Sequence, residues 1–412
     1  MRRAFLSVVS LATLIVVSGA IGAKAEDVVK IGVNAALTGS FVSAGNTVHN
    51  AVKLAVKQIN DAGGFVVNGK TYKLEPYYRD DRTDVNTAIA NARELVDDIG
   101  VKAIWGTESH DFSIAMTKIT NPAKVIQFTG NSSLGPFIMA QDATKPGGAL
   151  HYTFQTEPQE FQRSGSTAKG VLSLLEPMIG HQPKASVVFV QDDAGGQYLS
   201  SHYELALKAN GQTTDLIKYP PETKDFTPLL TRVKADKPDI VHIWYNGDYV
   251  MVAYPQAIQL DVAPAYFLFG VDPGVWKERG LKAAVPITLS CVPVCWGAPP
   301  FAAAKEYFDQ YFALGAPKGV QSSVSLLYYD YVGMFVKAMQ QAGTVDDTDK
   351  IVAELEKIKY QGAVSKVPVW FNDHHQVTFA TEVCAVKPNT SDQFTCAVEE
   401  PPASPPPGDP GG

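Results

Sequence analysis

The chain has 412 residues, 45% apolar and 19% charged, with a formal net charge of −7. Such a globular composition exceeds one comfortable core and suits two lobes of ordinary domain size. The acidic balance, with no basic cluster, argues against nucleic acid as a partner.

Arg2-Arg3, the apolar run 4–22 and the small-x-small triplet Ala23-Lys24-Ala25 read as a secretory signal peptide over 1–25, with a mature chain from Glu26. A membrane anchor fits the cleavage pattern less well, and no Cys follows the run to take a lipid. No later stretch approaches the roughly 18 apolar residues of a membrane span. The mature chain is expected to be soluble and outside the cytoplasm.

The mature chain opens with a strand at 28–33 and a loop at 38–41. A helix follows, with Val48, Val52, Ala55 and Ile59 on one face at spacings of three and four. Gly63-Gly64 ends it. A strand at 72–78 leads to a helix capped by Asp84, with Ile89, Ala92, Val96 and Ile99 inward. Then come a strand at 101–105, a helix at 111–120 and a strand at 125–129. This alternation predicts parallel βαβ units with helices on both faces.

A second alternation begins with a helix at 161–178. Strands at 185–190, 213–219, 239–244 and 265–269 are separated by helices at 198–209, 226–235 and 249–260, predicting a second parallel sheet. Helices at 301–314, 324–341 and 348–357 and a sheet-like piece at 376–398 follow. The Pro/Gly-rich tail 400–412 has almost no apolar side chain to bury and is expected to be disordered.

Cys291, Cys295, Cys384 and Cys396 lie in a chain bound for an oxidising space. Of the three pairings four cysteines allow, two local pairs are the simplest. Cys-x3-Cys plus a distant pair matches zinc spacing poorly.

Open parallel sheets bind ligands beyond the carboxyl ends of their strands. That rule selects loops 38–41, 107–111, 130–133, 191–196, 246–249 and 270–274. The first three are rich in hydroxyls: Thr38, Ser40, Thr107, Ser109, Ser132 and Ser133. Ser109 and His110 precede a helix whose free N–H groups and dipole suit a carboxylate. Ser109 or Asp111 as an ordinary N-cap fits the same position. The other loops hold Trp244, Tyr245, Asp248, Tyr249, Asp272 and Trp276. Asp272 is placed to meet a ligand ammonium, or to serve as the turn residue of Asp-Pro-Gly. His374-His375 suggest a metal pair, but neighbours in a strand point to opposite faces, so they read as surface. Adjacent Ser109-His110-Asp111 cannot adopt triad geometry, and nucleophile-elbow, zincin, dinucleotide and Walker patterns are missing. Binding is therefore expected rather than catalysis.

The opening Ile-Gly-Val-Asn-Ala-Ala-Leu-Thr-Gly-Ser-Phe, the helix end Ile59-Asn60-Asp61-Ala62-Gly63-Gly64 and the run Tyr78-Arg79-Asp80-Asp81-Arg82-Thr83-Asp84 resemble the leucine/isoleucine/valine-binding protein family. So do Val187 to Asp193 and Leu327-Tyr328-Tyr329-Asp330-Tyr331, so that the likeness spans nearly the whole mature chain. The resemblance implies an α/β type I periplasmic-binding-protein fold, two parallel-sheet lobes joined by three crossovers and closing on ligand. By that likeness the first lobe is 26–152 plus 293–370 and the second 153–292 plus 371–399. It further implies a carboxylate grip by Ser109, His110, Asn131 and Ser133, and an ammonium contact at Asp272. Phe41, Trp105, Trp244 and Tyr245 are expected to line the ligand space, with Tyr249 beside them. His110 departs from the small hydroxyl residue common at that place, and Ala194-Gly195-Gly196 replaces an aromatic, which leaves room for a bulkier ligand. The implied partners are a small solute and an inner-membrane ABC permease, the state monomeric and periplasmic, with no cofactor. Receptors for aromatic acids, amides or urea, and sensors signalling to a membrane partner, share the pattern.

Overall fold

The computed structural model describes residues 27–130, 150–192, 194–220, 223–244, 247–366 and 368–409. The signal-peptide reading and the residues Asn131, Ser133 and Tyr245 lie outside them.

The first half runs β1 (Asp27–Ala35), α1 (Val42–Asp61), β2 (Phe65–Val67), β3 (Lys70–Asp80), α2 (Val85–Arg93), β4 (Ala103–Trp105), α3 (His110–Thr120), β5 (Ile126–Phe128) and β6 (Thr153–Phe154). The second continues with α4 (Glu160–Ile179), β7 (Ala185–Gln191), α5 (Ala194–Ala209), β8 (Thr213–Tyr219), α6 (Thr227–Asp236), β9 (Ile240–Ile243), α7 (Gly247–Gln259), β10 (Ala265–Phe269), α8 (Pro273–Glu278) and β11 (Ile287–Cys291). Last come α9 (Ala302–Ala313), α10 (Ser325–Ala342), α11 (Thr348–Leu355), β12 (Trp370–Phe371), β13 (Val377–Thr378), β14 (Thr381–Val386) and β15 (Phe394–Glu399).

One sheet has the order β2-β3-β1-β4-β5-β6, the other β15-β14-β11-β10-β9-β7-β8. Their central strands are parallel and buried along their length; β4, β5, β9, β10 and β11 expose no residue. Helices cover both faces, which is why these strands read as apolar runs rather than as alternating ones. The parallel order gives way at the edges, where the strand-like runs that carry Cys384 and Cys396 form the hairpin expected around the turn-like stretch 387–392. β2 runs antiparallel to β3, and β14 and β15 form an antiparallel pair beside β11. Tight turns make those pairings possible where a helical crossover is not required.

The α1 helix buries Val48, Val52 and Ala55, the face its spacing predicts. Gly64, at φ +88°, follows its end, and a Cβ there would stand 2.1 Å from the Tyr72 carbonyl oxygen. The glycine is therefore required by both the left-handed backbone and the close strand. The α2 helix is capped by Asp84, which accepts from Thr87 N at 2.8 Å. The α10 helix lies in the main core through Tyr328, Tyr331 and Phe335.

The chain passes between sheets after β6, after β11 and after β13. Hydrogen bonds lace these passages together: Gln155 N donates to His375 O (2.8 Å) and Glu382 N to Pro293 O (3.1 Å). The disulfides are Cys291–Cys295 and Cys384–Cys396, the two local pairs. Sγ atoms of Cys295 and Cys384 lie 4.0 Å apart, so the cross-links pack on one another beside the second passage.

The tail, expected to be disordered, is held in its described part by contacts that composition does not reveal. A Cβ on Gly165 in α4 would lie 2.7 Å from Pro402, and Asp409 meets His202 Nδ1 of α5 at 2.7 Å with both side chains fully buried. Among the described residues, no helix is long and apolar enough to cross a membrane.

The Cys384–Cys396 link closes a short loop, so its replacement by two serines should cost roughly 2–3 kcal/mol. Denaturant unfolding of the oxidised parent and the double variant measures this; equal midpoints would assign the hairpin's stability to its strand pairing alone.

Candidate functional site

The loops at the carboxyl ends of the first sheet are moulded by acids. Asp80, the last residue of β3, accepts from Leu37 N (2.9 Å), Thr38 N (3.2 Å) and Thr38 Oγ1 (2.7 Å) across the gap to β1, and from Arg82 N (2.9 Å). Burial opposes its charge, but these hydrogen bonds prevail and hold the carboxyl below its ordinary range. The Asp80 to Asp84 run is thus a loop-shaping device. Asp80 fixes the turn after β1, buried Asp81 accepts from Thr83 N (2.8 Å), and Asp84 starts α2. Phe41 stands at the start of α1 with 43% of its surface exposed, at the rim.

After β4, Gly106 adopts φ +107°, and a Cβ there would meet Asn34 O at 1.9 Å. Only glycine lets this loop lie against β1. Thr107 and Glu108 are buried behind it, and Ser113 Oγ donates to Thr107 O at 3.1 Å. Ser109 takes the N-cap position of α3, but its side chain makes no capping hydrogen bond. His110 is the first helical residue and is exposed. Ser109 and His110 therefore sit together at a helix start beyond the end of β4, as the sequence predicts, with the serine side chain not spent on the cap. Their expected partners Asn131 and Ser133 fall outside the described residues.

On the second sheet Asp272 is used differently from the expectation. It is 1% exposed and starts α8. Its Oδ1 accepts from Gly274 N (2.7 Å) and Gly297 N (2.9 Å), and its Oδ2 from Trp296 N (2.8 Å) and Ser323 Oγ (2.7 Å). Burial raises its pKa to about 6 against the pull of these donors. Both oxygens thus tie the end of β10 to the passage after β11 and to the approach to α10, and neither is turned to a ligand in this structure. The turn reading of Asp-Pro-Gly, enlarged to a clamp, describes it. Tyr249 lies in the first turn of α7.

Two aromatics expected to line a ligand space are core residues instead. Trp244 is fully buried, stacked between Tyr203 (3.8 Å) and Phe269 (4.3 Å). Trp105 stacks on Phe128 (4.8 Å) and meets the edge of Phe335 (5.8 Å). Ring burial at these strand ends outweighs the rule that strand ends face ligand. His375 is likewise not on the surface. It lies in the turn between β12 and β13 at φ 55°, fully buried, so strand alternation does not apply to it.

Sequence reasoning missed a buried charge cluster where the chain enters α4. Arg163 donates through Nη1 to Glu157 (2.7 Å) and through Nη2 to Glu160, whose Oε1 also accepts from Ser164 Oγ (2.8 Å). The guanidinium lies 5.9 Å from the Phe269 ring. Glu160 and Arg163, three apart, share a face of the first turn of α4, and that pair was the available signal; Glu157 joins them from the bend before the helix. Burial, with Glu108 and Glu157 nearby, pushes the Tyr328 hydroxyl well above its ordinary value. The belt Glu108, Tyr328, Glu157, Arg163 and Phe269 thus runs from the loop after β4 to the end of β10. A separate groove of about 660 Å³, edged by Lys102, Lys124, Asp346 and Asp349, lies at the amino ends of β4 and β5. It is at the opposite end of the strands from the loops that the crevice rule selects.

Burial raises Glu108 and Glu382 to about 8 and Asp330 to about 7. The folded state holds these protons more tightly than the unfolded chain, so their contribution is complete below the ordinary carboxylate range and is lost progressively above it, by about pH 7 for Asp330 and about pH 8 for the two glutamates. His242, which burial lowers to about 3, acts oppositely, but its effect is already complete above about pH 7. The thermal midpoint should therefore fall from about pH 7 to about pH 9, and Glu108→Gln should flatten the fall. Melts across that range decide it; a rising midpoint would contradict the assignment.

The family model for periplasmic binding proteins matches residues 28–391. Leu/Ile/Val-binding protein homolog 8 of Brucella abortus is 30% identical over 227 residues, covering 54% of this chain and 53% of the relative, so the chain spans about half the length of that relative. Leu/Ile/Val-binding protein BraC3 of Rhizobium johnstonii is 26% identical over 355 residues, covering 84% and 88%. Among solved structures, the leucine-binding protein LivK of Thermotoga maritima superposes with TM-score 0.68 at 20% identity, over 90% of this chain and 99% of that one. A solute-binding protein of an ABC transporter from Rhodopseudomonas palustris, in complex with 3,4-dihydroxybenzoic acid, gives 0.69 at 20%, over 93% and 99%. These are ligand-binding proteins of transport systems rather than enzymes, and their fold has two lobes. The chain belongs to the periplasmic binding protein family, and its fold is the two-lobed type I fold of the leucine-binding protein LivK.

Proposed function

We propose that this chain is the extracytoplasmic substrate-binding protein of an ABC importer. It captures a small carboxylate-bearing solute, an amino acid of branched-chain type or a related acid, by closure of two lobes, and delivers it as a monomer in the periplasm to an inner-membrane permease. The lobes are 26–152 with 293–370, and 153–292 with 371–399. The observation that carries the reading is the start of α3. Ser109 holds the cap position without a side-chain cap bond, beside exposed His110, beyond the end of β4. Helix-start N–H groups lack intrahelical partners, and the dipole favours an anion there. Phe41 stands at its rim, and Asn131, Ser133 and Tyr249 are the further residues that the family resemblance assigns to the ligand.

A second reading, an aromatic acid without an amino group, is favoured by Asp272. Its oxygens accept four protein hydrogen bonds, so an ammonium would have to displace donors already in place. Binding proteins of this fold from R. palustris in complex with benzoate and 4-hydroxybenzoate support the same reading.

A thermal-shift panel of branched-chain amino acids, benzoates, amides and urea identifies the ligand, since binding to the folded state alone raises the midpoint. For a carboxylate ligand the Ser109→Ala, His110→Ala double variant should bind about tenfold more weakly or worse, the loss of one charge-assisted hydrogen bond. A panel in which no carboxylate shifts the midpoint, or a double variant with parental affinity for the acid, would sink the reading.

A further inference from the structure

A second set of ligating side chains gathers at the passages between sheets. His151 precedes β6, Glu356 directly follows α11, and His375 occupies the turn between β12 and β13. His151 Nδ1 lies 3.6 Å from Glu356 Oε1, and His375 Nε2 lies 3.2 Å from the same oxygen. One ligating atom from each of the three falls within 4.8 Å of the others.

The protonation logic at His375 makes this cluster unusual. Its ring is fully buried and stacked on Phe154, with centroids 4.2 Å apart and planes 1° from parallel. Its Nδ1 is 3.1 Å from Thr153 O. A carbonyl oxygen only accepts, so Nδ1 carries a proton and donates. A neutral imidazole then has a lone pair on Nε2, and that lone pair faces a carboxylate oxygen. Two acceptors at that distance repel unless positive charge lies between them.

We propose that His151, Glu356 and His375 form a binding site for a divalent transition-metal cation of the zinc type, with two imidazoles, one carboxylate and an open position. The spacing suits the ion: tetrahedral zinc at about 2.0–2.1 Å from its ligands sets them about 3.3–3.4 Å apart, and the two measured separations bracket that value. The donor set suits it, because imidazole nitrogen with one carboxylate favours zinc and its neighbours over calcium or magnesium. The hydrogen bond from Nδ1 to Thr153 O is the outer-shell contact that fixes the tautomer and aims Nε2 at a metal. His151 and Glu356 are 40% and 22% exposed, which opens the site to solvent on one side. The ligands come from three separate chain segments, and His375 O also accepts from Gln155 N (2.8 Å) just beyond β6. A bound cation would therefore staple the first and third passages between the sheets. The inference is independent of the solute reading, since none of these residues belongs to the proposed solute site.

The mature chain, free of any affinity tag and stripped with chelator, is titrated with zinc chloride by calorimetry and with cobalt(II) by visible absorption. Parallel titrations use His151→Ala and Glu356→Gln, both at partly exposed positions, with circular dichroism of the metal-free forms as the folding control. One zinc per chain, cobalt absorption bands in the parent, and affinity lowered about tenfold or more in each folded variant would support the site. No saturable zinc binding by the parent, or parental affinity in both variants, would overturn it.

Discussion

The carboxylate of Asp272 is the contact on which the middle of the molecule depends. It lies where β10 ends, and it gathers donors from three directions: the start of α8, the stretch Trp296-Gly297 after the Cys291–Cys295 link, and Ser323 ahead of α10. Each of those backbone N–H groups would otherwise be buried without a partner, at about 1–3 kcal/mol apiece. One side chain thus terminates a strand, starts a helix and fixes the course of the chain as it leaves the second sheet. The neighbouring passages are held by similar means. Glu382 accepts from Cys295 N at 2.7 Å, and Asp330 from Ala363 N (3.0 Å) and Val364 N (2.9 Å). Acids recur at these places because a carboxylate offers several lone pairs to irregular backbone that has no ladder to join.

This arrangement concentrates buried hydrogen bonds around the passages, apart from the strand-end loops to which the proposed recognition is assigned. In the first sheet Asp80 and Gly106 draw the loops after β1 and β4 together, one by hydrogen bonds and the other by the lack of a Cβ. The start of α3 is then presented as a surface of donors. The buried Glu157–Glu160–Arg163 cluster continues this region toward Phe269. A buried cluster of this kind is stable only when fully paired, and that requirement fixes the start of α4 with respect to the second sheet.

Much of the fold was legible from residue order, because helix and strand periods differ and glycines and acids mark the ends. Val48, Val52 and Ala55 are buried as their spacing requires, Asp84 caps its helix, and the cysteines pair locally. What escaped depends on partners distant in sequence. Trp105 and Trp244 look the same in sequence whether they line a cleft or fill a core, and only Phe335 and Tyr203 decide. Asp272 could be read as a turn residue or a ligand contact, and its donors lie up to 51 positions away. His375 was assigned to a strand when it lies in a turn with a left-handed backbone. The described part of the tail is fixed by Asp409 on His202, a contact 207 positions apart that proline content conceals.

In the proposed function, two lobes joined at passages braced by buried acids close on a solute held between them. Small-angle scattering of the mature chain, with and without a saturating ligand, tests it most directly. Closure should give a smaller radius of gyration in the bound form, because ligand contacts with both lobes favour the closed state. An identical radius in both samples, with binding confirmed by calorimetry on the same material, would contradict it.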